Sequence, residues 1–326
     1  MIISFFSTQS YDKTYFNKHN KIHDIRYFEA ELNERTAALA KGSQALCAFV
    51  NDKITEGVLA QFAEMGLKII ALRAAGFNNV DIEAAKKYQI PILRVPAYSP
   101  HAVAEHAVAL ILTLNRKTHK AYNRIREGNF SLDRLTGFDL FGKTVGVVGT
   151  GKIGAVFCRI MQGFGCKVLA FDIFQDDNLI TEGVVYTPLA DLLAQSDIVS
   201  LHCPLNDKTH YLINADSLKS MKHGAMLINT GRGGLMDTKA VAKALKKGHL
   251  GYLGMDVYEQ EEKLFFRDLS EVVIEDDVIM RLISFPNALI TAHQAFFTEE
   301  ALTQIAEITL HNLDCFEQSL PLENVV

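Results

Sequence analysis

Short apolar runs alternate with amphipathic stretches along most of the chain. In the first hundred residues, the apolar runs predict strands over residues 2–7, 24–28, 45–50, 68–72 and 92–95. Apolar residues at helical spacing lie between these runs and predict helices, for example over 55–65 and 80–88. Strands that alternate with helices are typical of a parallel sheet covered by helices.

The pattern is interrupted once and then resumes. Pro96 and Pro100 bracket a break, and a long apolar helix is predicted over 102–115. Further strands are predicted over residues 144–148, 166–171, 184–186, 198–202, 225–229, 252–257 and 288–290. A last helix, over 298–313, has no evident place in this second series, so we expect it to pack on the first.

A glycine-rich turn follows the predicted strand over 144–148. Its glycines, Gly149, Gly151 and Gly154, have the GxGxxG spacing, and a predicted helix and a predicted strand come next. Asp172 follows that strand, 18 residues after the last glycine. This order of strand, turn, helix and strand is the setting in which the motif binds a dinucleotide.

Each part of this motif has a physical task. The first glycine permits the tight turn, the second lets the backbone approach a pyrophosphate, and the third lets the helix pack closely. The pyrophosphate binds the N–H groups at the helix N-terminus. Asp172 can accept hydrogen bonds from ribose hydroxyls and would repel a 2′-phosphate, which predicts NAD rather than NADP. The alternative is a glycine turn that only packs.

The sequence therefore predicts the α/β class, with two Rossmann-like domains that have parallel sheets and are separated by a cleft. The first domain is expected to be discontinuous. Residues 1–100, completed by 297–326, form the predicted substrate (catalytic) domain. Residues 101–296 form the predicted NAD-binding Rossmann domain.

Composition excludes several classes of partner. With 48% hydrophobic residues, 22% charged residues and a net charge of −5, the chain is typical of a globular protein and lacks a basic field for nucleic acid or membrane. Five scattered cysteines without a CxxC pair predict reduced thiols in the cytoplasm and no metal site. The apolar N-terminal run is too short for a signal peptide. The stretch 102–115 is too short to span a bilayer and is interrupted by Glu105 and His106.

Three polar side chains come after predicted strands of the second series, where sheets of this type bind ligands. Arg232 stands in a glycine-rich turn and can clamp a carboxylate with its planar fork. His293 can exchange a proton with a carbonyl or hydroxyl oxygen while a hydride moves between substrate and nicotinamide. Glu261 can orient the imidazole and favour its protonated form.

Each of these residues also has an ordinary interpretation. Arg232 could be a surface charge, and His293 could be a structural histidine with its hydrogen bonds satisfied. Glu261 lies in an acidic run with Glu259 and Glu262, which is typical of a solvated loop. The pattern of the chain does not choose between the two interpretations.

Taken together, the motifs resemble the D-isomer-specific 2-hydroxyacid dehydrogenase family. The resemblance rests on Gly149–Gly154, on residues 229–233 (NTGRG) and 256–261 (DVYEQE), and on His293, and it covers essentially the whole chain. It implies that Arg232 binds the substrate carboxylate and keto oxygen and that His293, paired with Glu261, is the acid/base. It also implies an NAD site formed by Gly149, Gly151, Lys152, Ile153, Gly154, Asp172, Cys203, Pro204, Thr230, Gly231 and Asp256.

The resemblance extends to the substrate side. The loop with Ala75 and Gly76, which runs into a helix expected to begin near Val80, resembles one whose N–H groups grip the substrate carboxylate. Tyr98 stands where members acting on lactate have a substrate-facing tyrosine, and Phe296 is a candidate pocket wall. Two further phenylalanines, Phe49 and Phe297, are equally well explained as pocket walls or as core.

Within the family, the stretch 261–286 resembles an insertion of the fermentative bacterial lactate branch. This implies reduction of pyruvate to D-lactate with NADH, by a homodimer or homotetramer to which the helix over 102–115 contributes. Gln294 departs from the family, where an apolar residue commonly follows the histidine. Two alternatives stay open: a dehydrogenase for a bulkier D-2-hydroxy acid, and a non-catalytic NADH-sensing protein.

Overall fold

The computed structural model describes all 326 residues, the side chain of Lys263 excepted. The chain forms two compact units. The first comprises Met1–Ser99 and Phe297–Val326, and the second comprises Pro100–Phe296. Each unit is built on its own parallel β-sheet, so the predicted α/β class, with two Rossmann-like sheets and a discontinuous first domain, is confirmed.

The strands are short and follow the predicted apolar runs. They are β1 (Ile2–Phe5), β2 (Asp24–Tyr27), β3 (Ala45–Ala48), β4 (Ile69–Leu72), β5 (Ile92–Arg94), β6 (Thr144–Val148), β7 (Lys167–Phe171), β8 (Val185–Tyr186), β9 (Ile198–Leu201), β10 (Ala225–Asn229), β11 (Leu250–Met255) and β12 (Ala288–Ile290). Strand β1 is shorter than predicted because Ser7 adopts a left-handed φ of 49° and the chain leaves the sheet before it.

Helices connect the strands and cover the sheets. They are α1 (Ser10–His19), α2 (Glu56–Met65), α3 (Ile82–Lys87), α4 (Pro100–Arg116), α5 (Thr118–Arg126), α6 (Lys152–Gly163), α7 (Asp177–Thr181), α8 (Leu189–Gln195), α9 (Ala215–Ser220), α10 (Thr238–Lys246), α11 (Asp277–Ser284) and α12 (Glu299–Glu317). Among the described residues, no helix combines the length and the apolar character needed to cross a bilayer.

In the first unit the strand order is β2-β1-β3-β4-β5, and all neighbours are parallel. The C-terminal helix α12 belongs to this unit. Its buried side chains Ala306, Leu310 and Leu313 pack in one apolar cluster with Ile3 and Leu93 of the sheet. Burying this apolar face removes it from water, which fixes the last part of the chain on the first sheet.

In the second unit the order is β12-β11-β10-β9-β6-β7-β8, again with parallel neighbours. The chain proceeds outward from β6 through β7 to β8, and then returns to β9 on the other side of β6. The loops that follow β6 and β9 therefore start side by side, with Val148 opposite Leu201. Such a reversal opens a crevice at the carboxyl ends of the strands, where α/β sheets bind ligands.

Candidate active site

The glycine turn lies at this crevice, between β6 and α6. Gly149 has a φ of 92°, and a Cβ there would lie 2.5 Å from the backbone nitrogen of Cys203. A Cβ on Gly154 would lie 2.0 Å from the carbonyl oxygen of Gly149. A Cβ on Gly151 would meet nothing within 4 Å among the described residues. Two glycines thus permit close packing, and the third faces open space.

Helix α6 begins at this open position. Gly151 is its N-cap and provides no side-chain cap, and the first turn, with Lys152 and Ile153, holds no acidic residue. The first N–H groups of a helix need partners from outside it, and they favour an anion. The predicted pyrophosphate site is therefore a helix N-terminus that none of the described side chains caps.

Asp172 follows β7 and lies beside the glycine turn. Its Oδ2 accepts hydrogen bonds from the Thr150 N–H at 2.6 Å and from Thr150 Oγ1 at 3.3 Å. Its Oδ1 accepts from the Phe174 N–H at 3.0 Å. Thr150 Oγ1 also accepts from the hydroxyl of Tyr186 at 2.8 Å. The carboxylate is half-buried and fixed next to the turn, in a position that suits ribose hydroxyls.

The other side of the crevice is formed by the residues after β9 and β10. Cys203 and Pro204 follow β9, and burial raises the pKa of the Cys203 thiol to about 11, which keeps it protonated. Thr230 follows β10, and its Oγ1 is buried without a hydrogen-bond partner among the described residues. An unsatisfied buried hydroxyl costs about 1–3 kcal/mol, so it suits a ligand that brings a polar group. Together with the open helix N-terminus and Asp172, these residues fit a dinucleotide.

The turn that carries Arg232 is set by a buried asparagine. Asn229 donates from Nδ2 to the Arg232 carbonyl at 2.9 Å and accepts at Oδ1 from the Gly231 N–H at 3.0 Å. A Cβ on Gly233 would lie 2.1 Å from the carbonyl carbon of Tyr258, so this turn packs directly on the segment after β11. Arg232 itself is half-buried and donates from Nη1 to the Gly231 carbonyl at 2.8 Å.

The segment after β11 brings Glu261 to His293. Glu261 Oε1 lies 2.9 Å from His293 Nδ1, and the two side chains are 22% and 16% exposed. The second oxygen, Oε2, accepts from the Tyr258 N–H at 3.0 Å, which fixes the carboxylate. Because a carboxylate only accepts, the Nδ1 of His293 carries a proton, and Nε2 is the atom available for proton exchange with a substrate.

A neighbouring glutamate of the acidic run has a different task. Glu259 Oε1 accepts from the Thr238 N–H at 2.6 Å, at the N-terminus of α10. Its Oε2 accepts from the hydroxyl of Tyr211 at 3.1 Å. Glu259 therefore anchors a helix, whereas Glu261 is paired with the histidine. The spacing in the sequence could not distinguish them.

Asp256 is fully buried and supports the segment with His293. Its carboxylate accepts from Thr291 Oγ1 at 2.5 Å and from the N–H groups of Gln294 and Ala295 at 2.9 and 2.8 Å. Burial alone would raise the pKa of Asp256, but the nearby His106 ring and hydrogen bonds from Thr291 and these N–H groups outweigh it and hold the pKa below its usual range. Its predicted contact with a cofactor stays a prediction.

A second histidine near the glycine turn differs from His293. His202 follows β9, packs against the Phe157 ring at 4.8 Å and shares a hydrogen bond with Ser200 Oγ at 2.9 Å. Burial lowers the pKa of His202 to about 4, so this side chain is neutral at physiological pH. It is a packed structural residue.

Two residues near the site were missed by sequence reasoning. Phe266 has a left-handed φ of 63°, and its ring centroid lies 6.0 Å from that of His293. The signal in the sequence was the adjacent pair Phe265 and Phe266 in a loop, because phenylalanine side chains are rarely left fully solvated. His106 of α4 lies 3.1 Å from Thr291 Oγ1 and was noted only as a polar interruption of an apolar helix.

In the first unit, helix α3 starts two residues after the expected position near Val80. The helix begins at Ile82, and the Asp81 side chain caps it by accepting from the Ala84 N–H at 3.0 Å. A carboxylate already occupies this helix N-terminus and would repel another anion. Ala75 and Gly76 are half-buried in the preceding loop, where the Ala75 carbonyl accepts from Arg94 Nη1 at 2.8 Å. The predicted role of this loop in binding the substrate carboxylate stays a prediction.

The candidate pocket aromatics differ in burial. Tyr98 is half-buried and Phe296 is buried. Phe49 is also buried, and the Arg73 guanidinium lies 4.6 Å from its ring centroid, which supports a core role within the first unit. Phe297 is exposed and packs edge-on against Tyr11 at 4.8 Å.

Known proteins resemble the whole chain. Residues 108–295 match the NAD-binding domain of D-isomer specific 2-hydroxyacid dehydrogenases. The chain is 52% identical to 2-hydroxyacid dehydrogenase A of Aspergillus oryzae, over 97% of this chain and 92% of the relative. It is 49% identical to D-lactate dehydrogenase of Escherichia coli, over 98% and 97%. The solved pyruvate reductase of Chlamydomonas reinhardtii matches with a TM-score of 0.94 and 44% identity, over 99% and 98% of the two chains.

The family model covers more than half of the chain, and these relatives match nearly all of it. The domain of residues 108–295 is an NAD-binding domain, and the chain belongs to the D-isomer specific 2-hydroxyacid dehydrogenase family.

Proposed function

We propose that this protein is an NAD-dependent D-lactate dehydrogenase that reduces pyruvate to D-lactate. The observation that carries the proposal is the contact of Glu261 with His293 at 2.9 Å, formed by the segment on which the Arg232 turn packs. The names of two relatives, a D-lactate dehydrogenase and a pyruvate reductase, favour pyruvate over a larger 2-oxo acid.

In this proposal, residues of the second unit have separate roles in the reaction. NADH supplies the hydride that adds to the keto carbon of the substrate. Arg232 binds the substrate carboxylate with its fork and polarises the keto oxygen. His293, oriented by Glu261, donates its Nε2 proton to that oxygen as negative charge develops on it. The reverse reaction uses the neutral imidazole as a base.

The remaining site residues belong to the same proposal. We assign the cofactor to the glycine turn with Lys152 and Ile153, and to Asp172, Cys203, Pro204, Thr230, Gly231 and Asp256. We assign further substrate contacts to the loop with Ala75 and Gly76, and to Tyr98 and Phe296. Residues 1–100 with 297–326 are the substrate domain, and residues 101–296 are the NAD-binding domain.

We also propose that the protein is a homodimer or a homotetramer. Helix α5 and the segment after it expose four large apolar side chains, Tyr122, Ile125, Phe130 and Leu132, by 54% to 80%. Several large apolar side chains exposed within a short stretch of chain are typical of an interaction site. We further propose a fermentative role in the cytoplasm. The five cysteines are free, as is usual in that reducing compartment.

The experiment that tests the function is NADH oxidation by the purified protein with pyruvate, 2-oxoisocaproate and phenylpyruvate, with the chirality of the product determined. Preferred turnover of pyruvate to D-lactate is the expected result. A preference for either larger acid would replace pyruvate by a bulkier substrate while keeping the chemistry. NADH binding without turnover of any of the three 2-oxo acids would overturn the proposed enzymatic activity and favour the NADH-sensing alternative.

Replacement of Asp172 by serine tests the cofactor assignment. We expect the ratio of kcat/KM with NADPH to kcat/KM with NADH to rise about tenfold or more, equivalent to about 1.4 kcal/mol, because the carboxylate that repels a 2′-phosphate is lost. Activity with NADH should fall as well, since Thr150 loses its acceptor. D177S changes an exposed aspartate of α7 and serves as the control. An unchanged ratio in D172S would remove Asp172 from the ribose site.

A further inference from the structure

Three consecutive backbone N–H groups converge on one buried aspartate. Those of Gln294 and Ala295 donate to the Asp256 carboxylate at 2.9 and 2.8 Å, and that of His293 donates to the Asp256 carbonyl at 2.7 Å. His293 has a left-handed φ of 52°. Non-glycine residues rarely adopt this conformation unless the surroundings impose it. The backbone geometry of His293 therefore depends on Asp256.

Asp256 is in turn held by a histidine of another element. His106 of α4 has its Nε2 3.1 Å from Thr291 Oγ1 and 3.5 Å from Asp256 Oδ1, and Thr291 Oγ1 lies 2.5 Å from the same oxygen. A carboxylate can only accept, so the single hydroxyl proton of Thr291 is given to Asp256. Thr291 must then accept from His106, so the His106 ring carries a proton on Nε2.

We propose that His106 is a positioning residue for His293. Acting through Thr291 and Asp256, it holds the 293–295 backbone so that the His293 ring meets Glu261. The groups that face His106 in this network are Asp256 and Thr291. His293 is faced by Glu261 and by the ring of Phe266. The inference rests on the proposed function for its kinetic consequence, although the structural link can be tested without a substrate.

Substitution of His106 by leucine or by glutamine distinguishes loss of the hydrogen-bond donor to Thr291 from a change in side-chain shape. H106L removes the donor to Thr291, whereas H106Q can present a side-chain N–H close to the position of Nε2. H223L changes an exposed histidine of the same unit and is the control. We expect kcat for the best 2-oxo acid to fall about tenfold in H106L, less than the 10²–10⁴-fold contribution of a positioned general acid, because His293 itself is kept. The kcat of H106Q and of H223L should stay within about twofold of that of the unsubstituted protein, since neither variant loses the hydrogen-bond donor to Thr291.

A spectroscopic readout addresses the link directly. The Nδ1 proton shared by His293 and Glu261 should give a low-field proton NMR signal, identified by its absence in H293N. We expect this signal to be lost in H106L and kept in H106Q and H223L. If H106L does not fold, T291V, which removes the acceptor of the same hydrogen bond, replaces it with the same expectation.

The outcomes separate this inference from the proposed function. A folded H106L or T291V that keeps both the signal and kcat would overturn the positioning role. Loss of the signal in H106Q to the same extent as in H106L would overturn it too, because the donor would then be irrelevant. If the unchanged protein reduces none of the 2-oxo acids, the proposed function fails, while the NMR comparison still decides the role of His106.

Discussion

Asparagine in place of His293 is expected to lower kcat for pyruvate reduction by about 10²–10⁴-fold, the contribution of a positioned general acid. The side chain of asparagine can still donate to Glu261, and asparagine tolerates a left-handed φ, here 52°. The variant thus keeps the local structure and loses only the imidazole that donates the proton. Without a proton donor, negative charge on the keto oxygen is stabilised by Arg232 alone.

The dissociation constant of NADH should change by no more than about twofold in H293N, because the glycine turn and Asp172 do not contact the substituted side chain. Steady-state kinetics gives kcat, and titration of protein-bound NADH fluorescence gives the binding. H223N, which changes an exposed histidine of the same unit, is the matched control and should retain full activity. Full activity of H293N would exclude the acid/base role.

The glycine turn shows what the sequence could predict. Glycines spaced like Gly149 and Gly154, between a strand and a helix, are usually required because two backbone segments approach closely there. The structure shows that close approach. The strands were predictable for a similar reason, since buried parallel strands are continuous apolar runs bounded by polar turns. The final helix was placed by elimination, because its apolar face needed a sheet to cover.

The sequence could not separate residues whose chemical type is the same. Glu259 and Glu261 are two positions apart, and only the three-dimensional partners show that one anchors α10 and the other meets His293. The start of α3 was expected near Val80 instead of Ile82 for a related reason, because Asp81 can be either a turn residue or a helix cap. His106 was not recognised because the partner that gives it a role, Thr291, is 185 residues away in the chain.

Removal of the Arg232 side chain has the second large expected effect. We expect R232M to lower kcat/KM for pyruvate by about 10³-fold, because truncating one partner of a hydrogen-bonded charge pair costs about 2–5 kcal/mol. R232K should lose about 10²-fold, since lysine keeps the charge but lacks the planar fork. The loss should appear mainly in KM if Arg232 binds the carboxylate equally well before and during reaction, and in kcat if it polarises the keto oxygen.

The turn that carries Arg232 should keep its conformation in these variants. Asn229 holds it through the Arg232 carbonyl and the Gly231 N–H. Within the described part of the chain, the Arg232 side chain adds one hydrogen bond, from its Nη1 to the Gly231 carbonyl. That bond is worth about 0.5–1.5 kcal/mol, and the midpoint of thermal unfolding should therefore change little. R281M, which truncates an exposed arginine of α11, is the control for a loss of charge.

Chemical rescue makes the assignment of Arg232 more specific. In R232A, millimolar guanidinium should restore part of the activity, because the ion can occupy the vacated space and offer the same pair of N–H donors to a carboxylate. An ammonium salt at the same concentration has the charge without the fork and should restore less. Unchanged kcat/KM in R232M would contradict the assignment outright, whereas loss without rescue in R232A, together with weakened NADH binding, would move Arg232 from the substrate to the cofactor.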